Sequence, residues 1–299
     1  MKKNMIVVTG ATGQLGRLVI KSLLKRVPAN QIVAAARTPS SAADLASLGV
    51  EVREADYGKP ATLAKAFAGA TSLLLISAPT SLTMDTRLPE HKAVIDAAKT
   101  AGVQLLAYTS VLRAETSTLL VAPDHLGTER YLAASGIAWV FLRNPSYVEN
   151  YTASLGSALE QGAIVGSAGD GRNSAATRAD LAEAAAVVLT TPGHANKIYE
   201  LGGDAAFTMA EFAAELSKQT RKTIVYNNLP EKAYQDVLVS VGVPAKLAHL
   251  AADSDTKAVS GELYTSSRDL SGLIGHSTTT LAEAIAGALT ALGGRQTHV

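Results

Sequence analysis

Three glycines stand at three-residue spacing in Gly10-Ala11-Thr12-Gly13-Gln14-Leu15-Gly16, directly after the apolar run Met5–Val8 and at the head of an amphipathic stretch. A strand that turns on glycine into a helix aims the helix's free N–H groups, and the positive end of its dipole, at one point. That arrangement suits a phosphate. Glycine also lets a pyrophosphate approach the backbone and lets helix and strand pack closely. A glycine triplet alone marks many ordinary turns, so its weight comes from the strand–turn–helix setting. The reading is a dinucleotide site over residues 10–16. The second strand then ends in Val-Ala-Ala-Ala-Arg37, with no acid before Asp44. An acid at that place would hold a ribose 2′-hydroxyl and repel a 2′-phosphate, whereas a guanidinium pairs with the phosphate. NADP(H) is therefore expected. Asp56 and Tyr57, after the third strand, are placed to meet the adenine amino group. Ser77, Ala78 and Pro79 close the fourth strand on the same carboxyl side, where ligands of open α/β sheets bind.

What is missing is equally informative. Reducing a simple ketone calls for a positioned acid, which carbonyl-reducing short-chain dehydrogenases supply as Tyr-x-x-x-Lys on the helix after the fifth strand. Ser110 ends that strand, where such enzymes carry a serine, but the helix reads Asp124-His125-Leu126-Gly127-Thr128-Glu129. An acceptor that is already electrophilic, such as a quinone, needs less help. No grouping of His, Asp and Glu has metal-ligand spacing, and no metal is expected.

The elements that must position these residues are readable from their periodicity. The first 144 residues alternate apolar runs with amphipathic stretches, as βαβ units on a parallel sheet do. Strands are expected at Met5–Thr9, Ile32–Arg37, Val50–Ala55, Ser72–Ser77, Gln104–Ser110 and Ala138–Arg143. Helices are expected from Gln14, stopping before Pro28, and at Ser40–Leu48, Pro60–Ala68, Leu88–Ala101 and Pro123–Ala134. Gly49, Gly69, Gly102 and Gly136 follow four of them as left-handed caps. Beyond Asn144 the pattern changes to a turn feeding a helix up to Gln161, a tight turn at 168–171 and a short polar strand at Ser174–Thr177. An alanine-rich helix Arg178–Leu189 and a strand Ile198–Leu201 come next. Then follow Thr208–Thr220 (helix), Thr223–Asn228 (strand) and helices at Glu231–Val241, Ala245–Leu250 and Thr280–Leu292. Asp253–Asp255 reads as a solvated turn. The expected fold is α/β: a doubly wound parallel sheet with a smaller, mostly helical C-terminal lobe. Its dinucleotide domain spans 1–150, joined by about 175–203, and its substrate lobe spans 151–299.

Composition sets the outer bounds. The 299 residues are 47% hydrophobic and 18% charged, with a net charge of +1, so there is material for a core and no basic patch for nucleic acid. The absence of cysteine excludes thiolate catalysis, disulfides and cysteine-held metals. Met5–Val8 is shorter than the roughly 7–15 apolar residues of a secretory segment, and no stretch approaches the roughly 20 of a membrane span. A soluble cytoplasmic protein without membrane or nucleic-acid partners, monomeric or homodimeric, is expected.

Longer motifs carry a resemblance. Thr-Gly-Ala-Thr-Gly-Gln-Leu-Gly at 9–16, Ala-Asp-Tyr-Gly at 55–58, Ala-Tyr-Thr-Ser at 107–110 and Leu-Arg-Asn at 142–144 resemble the NmrA-like atypical short-chain dehydrogenases. So do Glu-Asn-Tyr at 149–151, Ala-Gly-Asp-Gly at 168–171, Ala-Thr-Arg-Ala-Asp at 176–180 and Leu-Ile-Gly-His at 273–276. The resemblance spans essentially the whole chain. It implies a Rossmann sheet and NADPH-dependent reduction of a quinone or another aromatic acceptor, without flavin or metal. Reduction of triphenylmethane dyes, or non-catalytic sensing of NADP(H), are the alternatives it allows. It further implies that Asn144, Ser146, Tyr147, Glu149, Asn150 and Tyr151 lie along nicotinamide and substrate. His125 falls where some relatives carry a catalytic lysine. Pro145 and Ser146 replace an expected glycine and aromatic residue, and Thr80–Leu88 is a longer loop than expected. Tyr147 and Tyr151, four apart, are expected to share a helix face as a stacking surface. His91, on a helix beside Lys92, is expected at the surface, and His194, His249, His276 and His298 are expected to be structural or solvated.

Overall fold

The computed structural model describes residues 4–77 and 84–296. Ala78, Pro79 and the first part of the loop at Thr80–Leu88 lie outside them. The strands are β1 (Ile6–Val8), β2 (Ile32–Ala36), β3 (Glu51–Glu54), β4 (Ser72–Leu75), β5 (Leu105–Val111), β6 (Ala138–Asn144), β7 (Ala163–Gly166), β8 (Lys197–Glu200) and β9 (Val225–Asn228). The chain divides into two compact units, the first made of residues 1–115, 121–144 and 178–200.

The first unit is a seven-stranded sheet in the order β3-β2-β1-β4-β5-β6-β8, and every pairing is parallel. Its central strands are read correctly from sequence because both faces are covered, which makes β1, β2 and β4 apolar or small and buried throughout. On one face Val7, Val33, Leu73, Leu75, Leu106 and Phe141 pack against Leu63, Val94, Ile95 and Leu132. Those last four residues come from α3 (Pro60–Ala66), α4 (Met84–Thr100) and α5 (Ala122–Ala134). Helices α1 (Gln14–Leu24) and α8 (Arg178–Thr190) pack on each other and on the central strands. Gly49, Gly69, Gly102 and Gly136 all have positive φ, as caps require.

Two expectations fail here. Ser40–Leu48 forms a 3₁₀ turn at Pro39–Ala42 followed by the single turn α2 (Ala43–Ala46). Helix α4 begins at Met84, before Leu88, and runs through Pro89. Pro89 is the sixth residue of the helix, past the first turn, so it costs the hydrogen bond to the carbonyl four residues earlier, yet α4 continues through it.

The second unit comprises 116–120, 145–177 and 201–296. It holds α6 (Val148–Thr152), α7 (Leu155–Gln161), α9 (Met209–Thr220), α10 (Glu231–Ser240), α11 (Ala245–Thr256), α12 (Asp269–Ile274) and α13 (Leu281–Gln296), with the parallel pair β7-β9. Helix α9 has a complete capping box, Thr208 with Glu211. The polar strand expected at Ser174–Thr177 is absent. That stretch makes one isolated bridge, Ala176 with Tyr147, and Asn173 just before it makes another of opposite direction with Phe207, so no ladder extends. Asp253 and Asp255 are not a solvated turn: they close α11 and are buried, accepting from the Leu120 and Ser167 amides. Burial raises the Asp255 pKa. No helix among the described residues is long and apolar enough to cross a membrane.

Candidate active site

Gly10 has φ +59, and the Gly13 amide donates to its carbonyl at 3.0 Å, closing the turn that starts α1. Gly13 caps α1 with no side-chain partner, so the helix start keeps N–H groups for a ligand. A Cβ on Gly16 would lie 2.4 Å from the Gly10 oxygen and 2.8 Å from the Ala11 Cα. The helix therefore sits on the turn only because position 16 has no side chain. Ala11, Leu15 and Gly16 are buried beneath the turn, and Gln14 is exposed.

The turn opens on a cavity of about 360 Å³ lined by Gly10, Thr12, Gly13, Arg37, Thr38, Ser41, Ala55, Asp56, Tyr57, Ile76, Ser77 and Glu90. It lies at the carboxyl ends of β1 to β4, where the sequence placed it. Arg17 of α1 fixes the stretch after β2: it pairs with Asp44 and donates from Nη2 to the Ser41 carbonyl at 2.8 Å. The Arg17 hydrogen bond holds the Asp44 carboxyl below its ordinary pKa. Arg37 is exposed at the cavity and makes no salt bridge among the described residues. The Tyr57 hydroxyl is occupied by the Ile76 carbonyl at 2.9 Å and by Thr9, which leaves the ring as wall. The volume, the bare helix start, the backbone cradle and the free guanidinium together fit the adenosine and phosphate half of a dinucleotide.

Behind Ser77 lies a buried polar network. The Tyr108 hydroxyl meets Nδ1 of His125 at 2.8 Å and also bonds Thr128 and Ser77. His91 Nδ1 lies 3.0 Å from the Thr128 hydroxyl. His91, expected at the surface, is fully buried, because the face of α4 that carries it is turned onto the sheet. Burial, then the Arg87 charge, pushes the His91 pKa down to about 3, and the same causes with His91 itself push His125 well below its ordinary value. His125 is thus neutral, buried and hydrogen-bonded near pH 7, poorly suited to donate a proton, and it does not line the cavity. Ser110, one residue before the end of β5, is buried and its hydroxyl has no hydrogen-bond partner among the described residues.

Asn144 is the buried last residue of β6. Arg143 beside it is clamped by Glu129 through Nε at 3.0 Å and Nη2 at 2.6 Å, by Glu115 at 2.6 Å and by Glu200 at 3.0 Å. That bidentate network fixes the strand end from which Asn144 projects. Ser146, Tyr147, Glu149, Asn150 and Tyr151 belong to the second unit. Tyr147 is the extended residue before α6, so it and Tyr151 share no helix face. Tyr151 packs edge-on against Phe207 at 6.0 Å and bonds Asn173. Thr38, Ser41, Ala55, Ile76 and Glu90 are lining residues that the sequence did not reveal. Glu90 sits in a helical stretch of unremarkable polarity, and only the rotation of α4 over the sheet brings it to the cavity.

The sequence matches the NAD(P)H-binding family over residues 10–192. It is 53% identical to quinone oxidoreductase 2 of Escherichia coli (strain K12) over 281 residues, which cover 94% of this chain and 97% of that protein. The structure superposes with TM-score 0.92 on the Escherichia coli NADPH-dependent quinone oxidoreductase complexed with NADPH, at 52% identity over 95% of this chain and all of that one. The triphenylmethane reductase of Citrobacter sp. complexed with NADP(H) superposes with TM-score 0.91 at 43% identity, covering 95% of this chain and 99% of that one.

Proposed function

The chain belongs to the NAD(P)H-binding family, and within it we propose an NADPH-dependent quinone oxidoreductase that passes hydride directly to a quinone, without flavin or metal. The observation that carries this reading is Arg37, a guanidinium with no salt bridge among the described residues, at the wall of a cavity built on a glycine turn. The likeness to quinone oxidoreductase 2 supports the acceptor class.

NADPH supplies the hydride when bound. The chain's own part is to hold and orient. The turn from Gly10 to Gly16 and the start of α1 meet the pyrophosphate, and Arg37 meets the 2′-phosphate. We assign Asn144, fixed by the Arg143 clamp, and Ser146 to Tyr151 to the nicotinamide and acceptor. Aligning two reactants at near-contact distance contributes up to roughly 7–11 kcal/mol to lowering a barrier. A quinone takes a hydride and one proton to become a hydroquinone, and its electrophilicity removes the need to protonate it first. That agrees with an imidazole at His125 that burial keeps neutral and engaged with Tyr108.

Purified protein with NADPH and a simple benzoquinone should consume nicotinamide absorbance and quinone one for one. No turnover across a panel of quinones and triphenylmethane dyes would overturn the proposal, and turnover of dyes alone would move the substrate class. Arg37→Glu should raise the KM for NADPH by about tenfold or more relative to that for NADH. An unchanged ratio would remove Arg37 from the 2′-phosphate site.

A further inference from the structure

Glu90 of α4 lines the same cavity as Arg37 and Asp56, and its Oε2 is buried with no hydrogen-bond partner among the described residues. Asp56, the acid the sequence offers for the base, is already engaged. Its Oδ1 accepts the Gly58 amide at 3.1 Å, and its Oδ2 lies 3.6 Å from the Lys59 ammonium. A buried carboxylate oxygen without a donor is costly, so a ligand N–H delivered there restores what burial took away. Ala55, Tyr57 and Ile76 give the neighbouring wall apolar surface of the kind a flat base packs on.

We propose that Glu90 accepts a hydrogen bond from the 6-amino group of adenine and thereby selects adenine over 6-oxo purines. The proposal rests on the reading that the adenosine half of NADPH occupies this cavity. An amino group donates to the carboxylate. A 6-oxo group turns lone pairs towards it and leaves the carboxylate both unpaired and repelled. Burial, then the Asp56 charge, raise the Glu90 pKa while Arg37 opposes them, so the accepting form gains as pH rises and the comparison is made on the alkaline side.

The test compares NADPH with its deaminated analogue, reduced nicotinamide hypoxanthine dinucleotide phosphate, by nicotinamide-fluorescence titration and by KM at mildly alkaline pH. Wild-type protein should bind the analogue at least ~10-fold more weakly. In Glu90→Gln the amide can accept or donate, and in Glu90→Ala the partner is gone, so the ratio should fall towards one in both. Asp56→Asn should keep the wild-type ratio. Equal wild-type binding of the two dinucleotides, a ratio that survives both Glu90 changes, or a collapse in Asp56→Asn instead would overturn the assignment. Failure of the underlying reading looks different: NADPH itself would not bind wild-type protein, or would bind Arg37→Glu unchanged.

Discussion

A methyl group added at Gly16 would meet backbone at 2.4 and 2.8 Å, atoms that cannot swing aside as a side-chain tip can. Gly16→Ala should therefore cost about 1–3 kcal/mol in urea unfolding and weaken NADPH binding about tenfold or more, because the turn must open to admit it. The same change at Gly287, exposed within α13 with nothing within 4 Å of the added atom, should instead stabilise by up to about 1 kcal/mol. Equal effects at the two positions would show that packing at the turn is not what fixes Gly16. At this scale the sequence speaks wherever a residue type is itself the reason for a conformation, as at Gly10, Gly16 and Arg37. It is silent about Glu90 and His91, whose surroundings come from other elements.

Between elements, α4, α5 and β5 are joined through His91, Thr128, Tyr108 and His125. Both imidazoles are held below their ordinary values by burial first and the Arg87 charge second. The unfolded chain thus binds protons near pH 6.5 that the folded chain refuses. Their contribution to stability is complete above about pH 6.5 and is lost as pH falls towards about 3, the His91 value. Calorimetry between pH 7 and 5 should show stability falling by on the order of 1 kcal/mol per pH unit for each histidine. In His125→Gln that slope should be about halved, whatever the absolute stability of the variant. A slope that does not change would show that His125 does not titrate on unfolding. The central strands were legible because each is an apolar run covered on both faces, and the edge strands β3 and β8, half-exposed, were legible only from their place in the alternation. The end of α11 was not, since Asp253 and Asp255 are buried by amide donors more than 80 residues away in the chain, at Leu120 and Ser167.

For the whole molecule, the informative fact is that neither unit is one continuous stretch of chain. The sheet takes β8, and the helix paired with α1, from residues 178–200, after an excursion through 145–177 into the second unit. A fragment of residues 1–144 would lack α8 and β8 and leave the apolar face of α1 and one side of β6 open. It should show neither a cooperative thermal transition nor NADPH binding, and fusing 178–200 back through a short linker should restore both. A fragment 1–144 that melts cooperatively and binds NADPH would show that the sheet is complete without them. The alternation of strands and helices foretold the sheet, and the alanine-rich stretch and Ile198–Leu201 foretold its extension. The place of β8 beside β6 also matters while the protein is being made. As the ribosome adds residues 145–196, the nascent sheet ends in β6, a seven-residue strand whose outer N–H and C=O groups await their partner. For that interval, several seconds at about 5–20 residues per second, the half-made chain presents an edge on which a neighbouring nascent chain can dock, so translation speed and chaperone cover across this stretch should govern how much of the protein escapes aggregation.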